Sequence, residues 1–149
     1  MSADKNELYI QLFQNIEAVL DQKADEIANM ANMAALIHDT LKPHWTGFYR
    51  VMGDQLILGP FQGPVACTRI AFDKGVCGNA WKQAKTILVD NVHEYPGHIA
   101  CSALSNAEIV VPVIKNGVVT ALLDVDSEHF AAFDATDEDW LEKIVKLLP

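Results

Sequence analysis

The chain has 149 residues, of which 11 are basic and 20 acidic, so its formal net charge is −9. The 50% apolar content is typical of a globular domain with a sizeable core and unlike that of a disordered protein. The acidic balance argues against nucleic acid and anionic membranes as main partners. No apolar run approaches the roughly 20 residues that span a bilayer, and the first residues lack the pattern of a signal peptide.

The chain contains three cysteines, Cys67, Cys77 and Cys101. Without a signal peptide they indicate a reducing compartment, where disulfides are more often catalytic than structural. We therefore expect a cytoplasmic protein. The odd number also excludes a framework in which every cysteine pairs within one chain.

The first third of the chain has a helical pattern. Apolar residues recur at three- and four-residue spacing over Asn6–Leu20 and again over Gln22–Leu41, which predicts two helices. The second helix should stop at Lys42, because Pro43 disfavours helical backbone in the residue before it. We expect this helical part to cover about residues 6–41.

Short strands and turns follow. Aromatic and β-branched residues predict a strand over His44–Met52, and a Gly-Asp turn predicts a hairpin to a second arm over Gln55–Leu58. The stretch Gly59–Pro64, rich in glycine and proline, is typical of a loop. The next predicted elements are a strand over Cys67–Phe72, a short helix over Asn79–Gln83 and a strand over Thr86–Val89.

The last third predicts a hairpin and a helix. Two strongly apolar strands, Ile109–Ile114 and Val118–Asp126, flank an Asn-Gly turn. Thr136, followed three residues later by Asp139, resembles a capping box and predicts a helix over about residues 136–148.

Hairpins indicate an antiparallel sheet. We therefore predict a single α+β domain over residues 1–149, with a central antiparallel sheet of about six strands and the N- and C-terminal helices on one face. The sheet and its loops should occupy about residues 44–126.

The stretch Pro96–Glu108 places a thiol on an irregular loop and a carboxylate at the mouth of a strand. Small and polar residues follow Cys101, and Glu108 directly precedes a β-branched run. Loops held by rigid elements are where chemistry usually sits. Cys67 and Cys77 lie in another loop-like region, so we expect the two loops to meet around a small redox site.

The cysteines allow other interpretations. Together with His98 they form a possible zinc set, but spacings of 10 and 24 residues lack the short Cys-x₂₋₄-Cys pair of structural zinc sites, and we expect no metal. Cys77 has the ordinary alternative of a buried, inert cysteine, whereas Cys67 and Cys101 have the polar, loop-rich surroundings that a reactive thiol needs. His98 either lowers the pKa of Cys101 or only orients its loop.

Acidic and aromatic pairs complete the candidate site. Asp124 and Asp126 are two residues apart on a strand and so share a face. Like charges raise each other's pKa, which keeps one carboxyl protonated as an acid, unless the pair is simply a solvated strand end. If Glu108 lies on the same face as this pair, a functional site is favoured over a solvated strand end. Trp45 and Tyr49 also share a face, either as core aromatics or as a pocket wall suited to an apolar or thioether group.

Several segments resemble the free methionine-(R)-sulfoxide reductases, which are stand-alone GAF-domain enzymes. The resemblance runs from about Leu12 to the C-terminus and implies a GAF-like fold that reduces free L-methionine-(R)-sulfoxide to methionine. The segments that carry it are Trp45–Tyr49, Gly59–Gly63, Ala66-Cys67, Gly75–Gly78, Pro96–Cys101, Glu108–Pro112 and Leu123–Ser127.

The resemblance implies a thiol mechanism. Cys101 matches the nucleophile, Cys67 the resolving cysteine that forms a disulfide with it, and Cys77 a third cysteine that we place in the substrate pocket. The Cys101 thiolate attacks the sulfoxide sulfur, methionine leaves, and the sulfenic acid condenses with Cys67. Thioredoxin, as an external dithiol, would regenerate both thiols by exchange, so no bound cofactor is expected.

The resemblance also implies an acidic pocket with an aromatic wall. Glu108, Asp124 and Asp126 match its carboxylates, and Trp45 and Tyr49 match its wall. A sulfoxide sulfur is electrophilic only when its oxygen is protonated or strongly hydrogen-bonded, which a carboxyl group kept neutral by crowding can achieve. We place Glu108 and Asp126 among the catalytic residues and Asp124 among the substrate-binding ones, but the sequence does not distinguish the proton donor from the group that binds ammonium. The acidic pocket also suits the ammonium group of a free amino acid.

A non-catalytic GAF domain that senses a small molecule is the alternative function. It explains the fold, the pocket and the aromatics, but it leaves Cys67 and Cys101 without a purpose. The resemblance favours the reductase and implies a homodimer.

Overall fold

The computed structural model describes residues 2–99, 101 and 104–149, so residues 100, 102 and 103 of the predicted loop lie outside the described residues. The helices are α1 (Ser2–Val19), α2 (Glu26–Leu41), α3 (Gly75–Gln83) and α4 (Ala135–Val145), with a short 3-10 helix at Val92–Glu94. The strands are β1 (Trp45–Met52), β2 (Gln55–Gln62), β3 (Arg69–Ala71), β4 (Ile87–Val89), β5 (Ala107–Lys115) and β6 (Val118–Ser127).

The six strands form one antiparallel sheet in the order β3-β2-β1-β6-β5-β4. The hairpin from β5 to β6 turns at Asn116 and Gly117, whose φ angles of 51° and 78° are those of a two-residue hairpin turn. This architecture confirms the predicted α+β domain and its sheet of about six strands.

The long helices α1, α2 and α4 cover one face of the sheet, as predicted. Alternate residues of β1, β5 and β6 point toward them, because successive side chains of a strand lie on opposite faces. The core on this side includes Tyr9, Leu12, Met33, Phe48, Ile109, Leu123 and Leu141, all fully buried. Among the described residues, no helix is long and apolar enough to cross a membrane.

A buried carboxylate joins the first helix to the last. Asp137 of α4 is only 1% exposed. It accepts the hydroxyl hydrogen of Tyr9 at 2.5 Å and forms an ion pair with Lys5, both from α1. Its partners satisfy this carboxylate inside an otherwise apolar layer, as a buried charge requires.

The start of α2 differs from the prediction. The helix begins at Glu26 rather than Gln22, because Asp25 is the cap and accepts a backbone N–H of the first turn at 3.0 Å. The side chain of Asn29 donates to the Asp21 carbonyl at 2.8 Å and closes the preceding turn. The first helix, α1, begins earlier than predicted.

The predicted cap of the last helix was wrong. Asp134, not Thr136, caps α4, and its carboxylate accepts the Thr136 N–H at 2.9 Å. Asp137 accepts the Asp134 N–H at 2.8 Å, which completes a capping box two residues earlier than predicted. The helix ends at Val145, before the predicted residue 148.

The prediction of a loop over Gly59–Pro64 was wrong for its first four residues, because β2 continues to Gln62. Gly47 pairs with Phe61 but Tyr49 pairs with Leu58, so the intervening glycine and proline fall in a β-bulge. A bulge tolerates proline because no ladder hydrogen bond is required of it there.

Candidate active site

A pocket lies on the sheet face opposite the long helices, between the sheet, α3 and the loops that carry Cys67 and Cys101. Its empty volume is about 530 Å³, which includes the open space at its mouth. Cys67 is linked to its lining by a disulfide to Cys101. The other predicted site residues line it: Trp45, Tyr49, Cys77, Cys101, Glu108, Asp124 and Asp126.

Strand alternation brings the three carboxyl groups together. Leu123 packs in the helix-side core, so Asp124 and Asp126 point to the opposite face, as predicted. The strand β5 begins at Ala107 rather than at Ile109, and Glu108 pairs in register with Asp126. Glu108 therefore joins the same face, the arrangement that favours a site over a solvated strand end.

The carboxyl groups form a hydrogen-bonded chain. Glu108 and Asp124 are each 5% exposed, and the Glu108 side chain hydrogen-bonds to both Asp124 and Asp126. Burial, reinforced by the neighbouring acids, raises the pKa of all three groups, that of Asp124 to about 8. A hydrogen bond between two carboxyl groups needs a proton on one of them, so the cluster retains protons at neutral pH.

The buried thiol of Cys77 lies against this chain. Its Sγ is 3.5 Å from Asp124 Oδ2, within the reach of an S–H donor. Burial raises the pKa of Cys77 well above its usual value, and the nearby acids act in the same direction, so the group stays a neutral thiol. The other oxygen, Asp124 Oδ1, is buried and has no hydrogen-bond partner among the residues that the structure describes.

The same residues offer a possible metal-ligand set. One ligand atom each of Cys77, Glu108 and Asp124 lies within 4.8 Å of the other two. This group differs from the zinc set considered from the sequence, because Cys67 and Cys101 are bonded to each other. An ion would have to displace protons from ligands whose pKa values are raised, which weakens binding at neutral pH.

The helix beside the pocket begins earlier than predicted. The sequence predicted Asn79–Gln83, but α3 starts at Gly75. Two glycines hide this start, since glycine disfavours helix by about 1 kcal/mol relative to alanine. At Gly78 a Cβ would lie 2.9 Å from the carbonyl oxygen of Ala71, so glycine is needed for close packing.

The N-terminus of α3 opens into the pocket. Gly75, Val76 and Cys77 line it, and the helix itself offers no acceptor for their N–H groups. The cap residue, Lys74, makes no side-chain capping bond and also lines the pocket. Free N–H groups and the helix dipole favour an anion here. Sequence reasoning missed this feature, although the Gly-x-x-Gly pattern marks it.

A disulfide joins the two cysteine loops. Cys67 and Cys101 are separated by 34 residues in the sequence, and their Cα atoms are 5.5 Å apart. This is the pairing that the resemblance implied, and it brings the two loops together as expected. Both residues are only partly buried, so the bond is within reach of solvent.

The aromatic residues Trp45 and Tyr49 line the pocket and also hydrogen-bond to a neighbouring loop. Trp45 and Tyr49 are buried and stack with ring centroids 6.0 Å apart. Trp45 Nε1 donates to the carbonyl of Pro64 at 3.0 Å, and the Tyr49 hydroxyl donates to the carbonyl of Cys67 at 2.9 Å. Both polar ends therefore hold the loop of the resolving cysteine, a contact that the sequence did not reveal.

His98 lines the pocket, but it does not supply a cation for the thiolate. Burial lowers the pKa of its imidazole, and the nearby His93 acts in the same direction, so the ring is neutral near pH 7. The structure therefore gives no support to the hypothesis that His98 lowers the pKa of Cys101.

Comparison with known proteins shows which family has a similar sequence and fold. A sequence profile of the GAF domain matches residues 14–148. The chain is 48% identical over 145 residues to GAF domain-containing protein A of Dictyostelium discoideum, covering 97% of this chain and 92% of that protein. It is 39% identical over 146 residues to the free methionine-R-sulfoxide reductase of Escherichia coli, covering 97% and 88%.

The X-ray structure of free methionine-R-sulfoxide reductase from Neisseria meningitidis in complex with its substrate matches with a TM-score of 0.94. The two sequences are 47% identical, and the match covers 97% of this chain and 87% of that one. The chain belongs to the free methionine-R-sulfoxide reductase family. The family and the GAF fold that the sequence predicted are thereby confirmed.

Proposed function

We propose that this protein reduces free methionine-(R)-sulfoxide to methionine with its own thiols. The observation that carries the proposal is the Cys67–Cys101 disulfide at a pocket that also holds three hydrogen-bonded carboxyl groups. A thiol pair able to cycle through a disulfide supplies the two electrons, and neutral carboxyl groups supply the proton. A sensor that only binds its ligand has no use for this pairing.

Asp124 is suited to bind the ammonium group of the substrate. Hydrogen bonds from Glu108 and Cys77 act to lower its pKa against the effect of burial, and a substrate ammonium group beside Asp124 would favour its ionised form further. Its Oδ1 still has no partner within the described part of the chain. An ammonium group at this oxygen would supply the missing partner and neutralise the charge.

The N-terminus of α3 is suited to bind the carboxylate of the substrate. Gly75 and Val76, the first two residues of α3, line the pocket, and their N–H groups lie at the positive end of the helix dipole. A free amino acid carries both charges, whereas a methionine within a protein chain carries neither. Specificity for the free amino acid follows.

The aromatic wall is suited to the methyl sulfoxide end. Trp45 and Tyr49 present buried ring surface, and sulfur packs favourably against aromatic rings. With the charged end held at Asp124 and α3, the sulfur atom would be directed toward Cys101.

The reaction then proceeds in balanced steps. The Cys101 thiolate attacks the sulfoxide sulfur while Glu108, backed by Asp126, protonates the oxygen. The oxygen transfers to Cys101 as a sulfenic acid, and methionine leaves. The thiol of Cys67 attacks the Cys101 sulfur, water leaves, and the disulfide forms. Two electrons have passed from the cysteine pair to the substrate.

An external dithiol must reverse the last step. We propose thioredoxin, which would reduce the disulfide by thiol exchange and make a bound cofactor unnecessary. The partial exposure of Cys67 and Cys101 supports this, since the partner must reach a sulfur atom. We also propose a homodimer, as the resemblance implies, and the thiol chemistry supports a cytoplasmic location.

The test is consumption of free L-methionine-(R)-sulfoxide with thioredoxin recycling. The S epimer and an N-acetylated R substrate serve as matched controls. We expect only the free R form to be consumed, because acetylation removes the ammonium charge that Asp124 binds. Equal use of the acetylated form would refute the ammonium site, and no consumption by the reduced protein would refute the enzyme.

A further inference from the structure

Two aromatic side chains hold the loop that carries Cys67. This loop, residues 63–68, joins β2 to β3 and is termed the resolving loop. The Tyr49 hydroxyl donates to the Cys67 carbonyl at 2.9 Å, and Trp45 Nε1 donates to the Pro64 carbonyl at 3.0 Å. A Cβ on Gly63 would lie 2.8 Å from the Trp45 ring, so the loop rests directly on the indole.

The hydrogen bond to Cys67 uses the only hydroxyl proton of Tyr49. A phenol carries one hydrogen, and a carbonyl oxygen can only accept. Burial, with the neighbouring acids, raises the pKa of Tyr49 well above its usual range, so the hydroxyl remains a donor at any working pH. With the Cys67 carbonyl as its acceptor, Tyr49 has no proton to give to a sulfoxide oxygen, although its ring lines the pocket.

We propose that Tyr49 is a positioning residue for the second chemical step, in which it holds Cys67 against Cys101 so that the disulfide closes. The inference rests on the proposed function for the meaning of that step. The bond acts on the backbone of Cys67 itself, so it restricts the thiol more directly than a contact elsewhere in the loop.

The expected effect is kinetic and thermodynamic. Closure requires the Cys67 thiolate to attack the Cys101 sulfur with loss of water, and orientation raises the effective concentration of such an intramolecular pair. The same restriction favours the disulfide over the dithiol at equilibrium. Both effects should weaken together when the hydroxyl is removed.

The first experiment measures the equilibrium between the dithiol and the disulfide in the full-length protein against a dithiothreitol redox buffer. Tyr49→Phe keeps the ring and removes only the hydroxyl. Loss of one hydrogen bond should weaken the disulfide roughly tenfold, which corresponds to a potential about 30 mV less negative. Neither substrate nor thioredoxin is present, so the outcome does not depend on the proposed activity.

The matched control is Tyr9→Phe, which also deletes one buried tyrosine hydroxyl, but on the opposite face of the sheet. Its acceptor is Asp137 of α4, in the helix layer behind the sheet. It should lower stability and leave the redox equilibrium unchanged. Trp45→Phe removes the other anchor, three residues before Cys67, and should give a shift in the same direction but smaller.

The second experiment follows the sulfenic acid. One equivalent of hydrogen peroxide oxidises the Cys101 thiol of the reduced protein to the sulfenic acid with release of water, and dimedone trapping reports how long that acid lasts. Tyr49→Phe should prolong its lifetime roughly tenfold. A wild-type lifetime and a wild-type redox equilibrium would overturn the proposal, as would an equal shift in Tyr9→Phe.

Discussion

Buried acidic side chains have different hydrogen-bond and charge partners on the two faces of the sheet. On the helix face, Asp137 is satisfied by Lys5, Tyr9 and the backbone of its own capping box. On the pocket face, Asp124 is also buried, yet it lies among other acids and keeps Oδ1 without a partner among the described residues.

The difference separates a structural acid from a functional one. A buried charge with a full set of partners stabilises the fold, whereas a buried acid left incompletely paired is costly and persists where a ligand uses it. By this criterion the helix face maintains the domain and the pocket face performs its chemistry. Substitutions on the two faces should therefore affect different measurements.

The largest expected effect is at Cys101. Cys101→Ser should abolish methionine formation completely, because a serine hydroxyl is not ionised at neutral pH and is a poor nucleophile toward sulfur. Chromatographic measurement of free methionine, with and without thioredoxin, checks this. Appreciable residual turnover would place the nucleophile elsewhere in the pocket.

Cys67→Ser is the control for the two roles of the thiol pair. It should form one methionine per chain and then recycle poorly with thioredoxin. Steady-state rates equal to those of the unsubstituted protein would show that Cys67 does not resolve the intermediate.

Next in size is Glu108→Gln. An amide cannot donate a carboxyl proton, so kcat/KM should fall by roughly 10²- to 10⁴-fold, the usual contribution of general acid catalysis. Circular dichroism and the melting temperature should show an intact fold, since the side chain remains nearly isosteric. A rate like that of the unsubstituted protein would remove Glu108 from the chemistry.

Asp137→Asn tests the other face. Loss of the charge that pairs with Lys5 and accepts from Tyr9 should lower the free energy of unfolding by about 1–3 kcal/mol. Urea denaturation measures this loss. The value of kcat/KM should be unchanged in the folded variant, and a selective loss of activity at full stability would break the distinction between the faces.

The smallest expected effect is a pH dependence at Asp124. Its pKa of about 8 in the folded protein lies well above the value near 4 of an unfolded chain. Between these values the folded protein holds a proton that the unfolded chain has released, so the stabilising contribution is full below pH 4 and is lost as pH rises toward 8.

In the Asp124→Asn variant the side chain at position 124 does not titrate. The free energy of unfolding of the variant, relative to that of the unsubstituted protein, should therefore rise by about 1 kcal/mol per pH unit in this window. Urea denaturation at pH 5.5, 6.5 and 7.5 measures the trend. Parallel stability curves would mean that Asp124 ionises normally in the folded protein.

Local patterns predicted the features that depend on neighbouring residues. The Asn116-Gly117 turn has the positive φ angles that its residues favour. The shared face of Asp124 and Asp126 follows from strand alternation alone and is confirmed by their place in the pocket. Such features need only the chain within a few residues.

Features that depend on contacts between residues far apart in the chain were not predicted from the sequence. The pairs Asp134–Asp137 and Thr136–Asp139 are equally good capping boxes on paper, and Tyr9, 128 residues away from Asp137, favours the first. The bulge that absorbs Pro60 depends on the register with β1. The hydrogen bonds to the resolving loop likewise join residues 18 and 19 positions apart.

The disulfide also changes the unfolded chain. A cross-link across 34 residues removes conformational entropy from the unfolded ensemble, worth about 3–4 kcal/mol in a chain-entropy treatment. Each catalytic cycle would therefore alternate between a more and a less robust molecule. The dithiol form, which awaits substrate, would be more readily unfolded and cleaved by proteases, and its survival would depend on the three-helix layer behind the sheet.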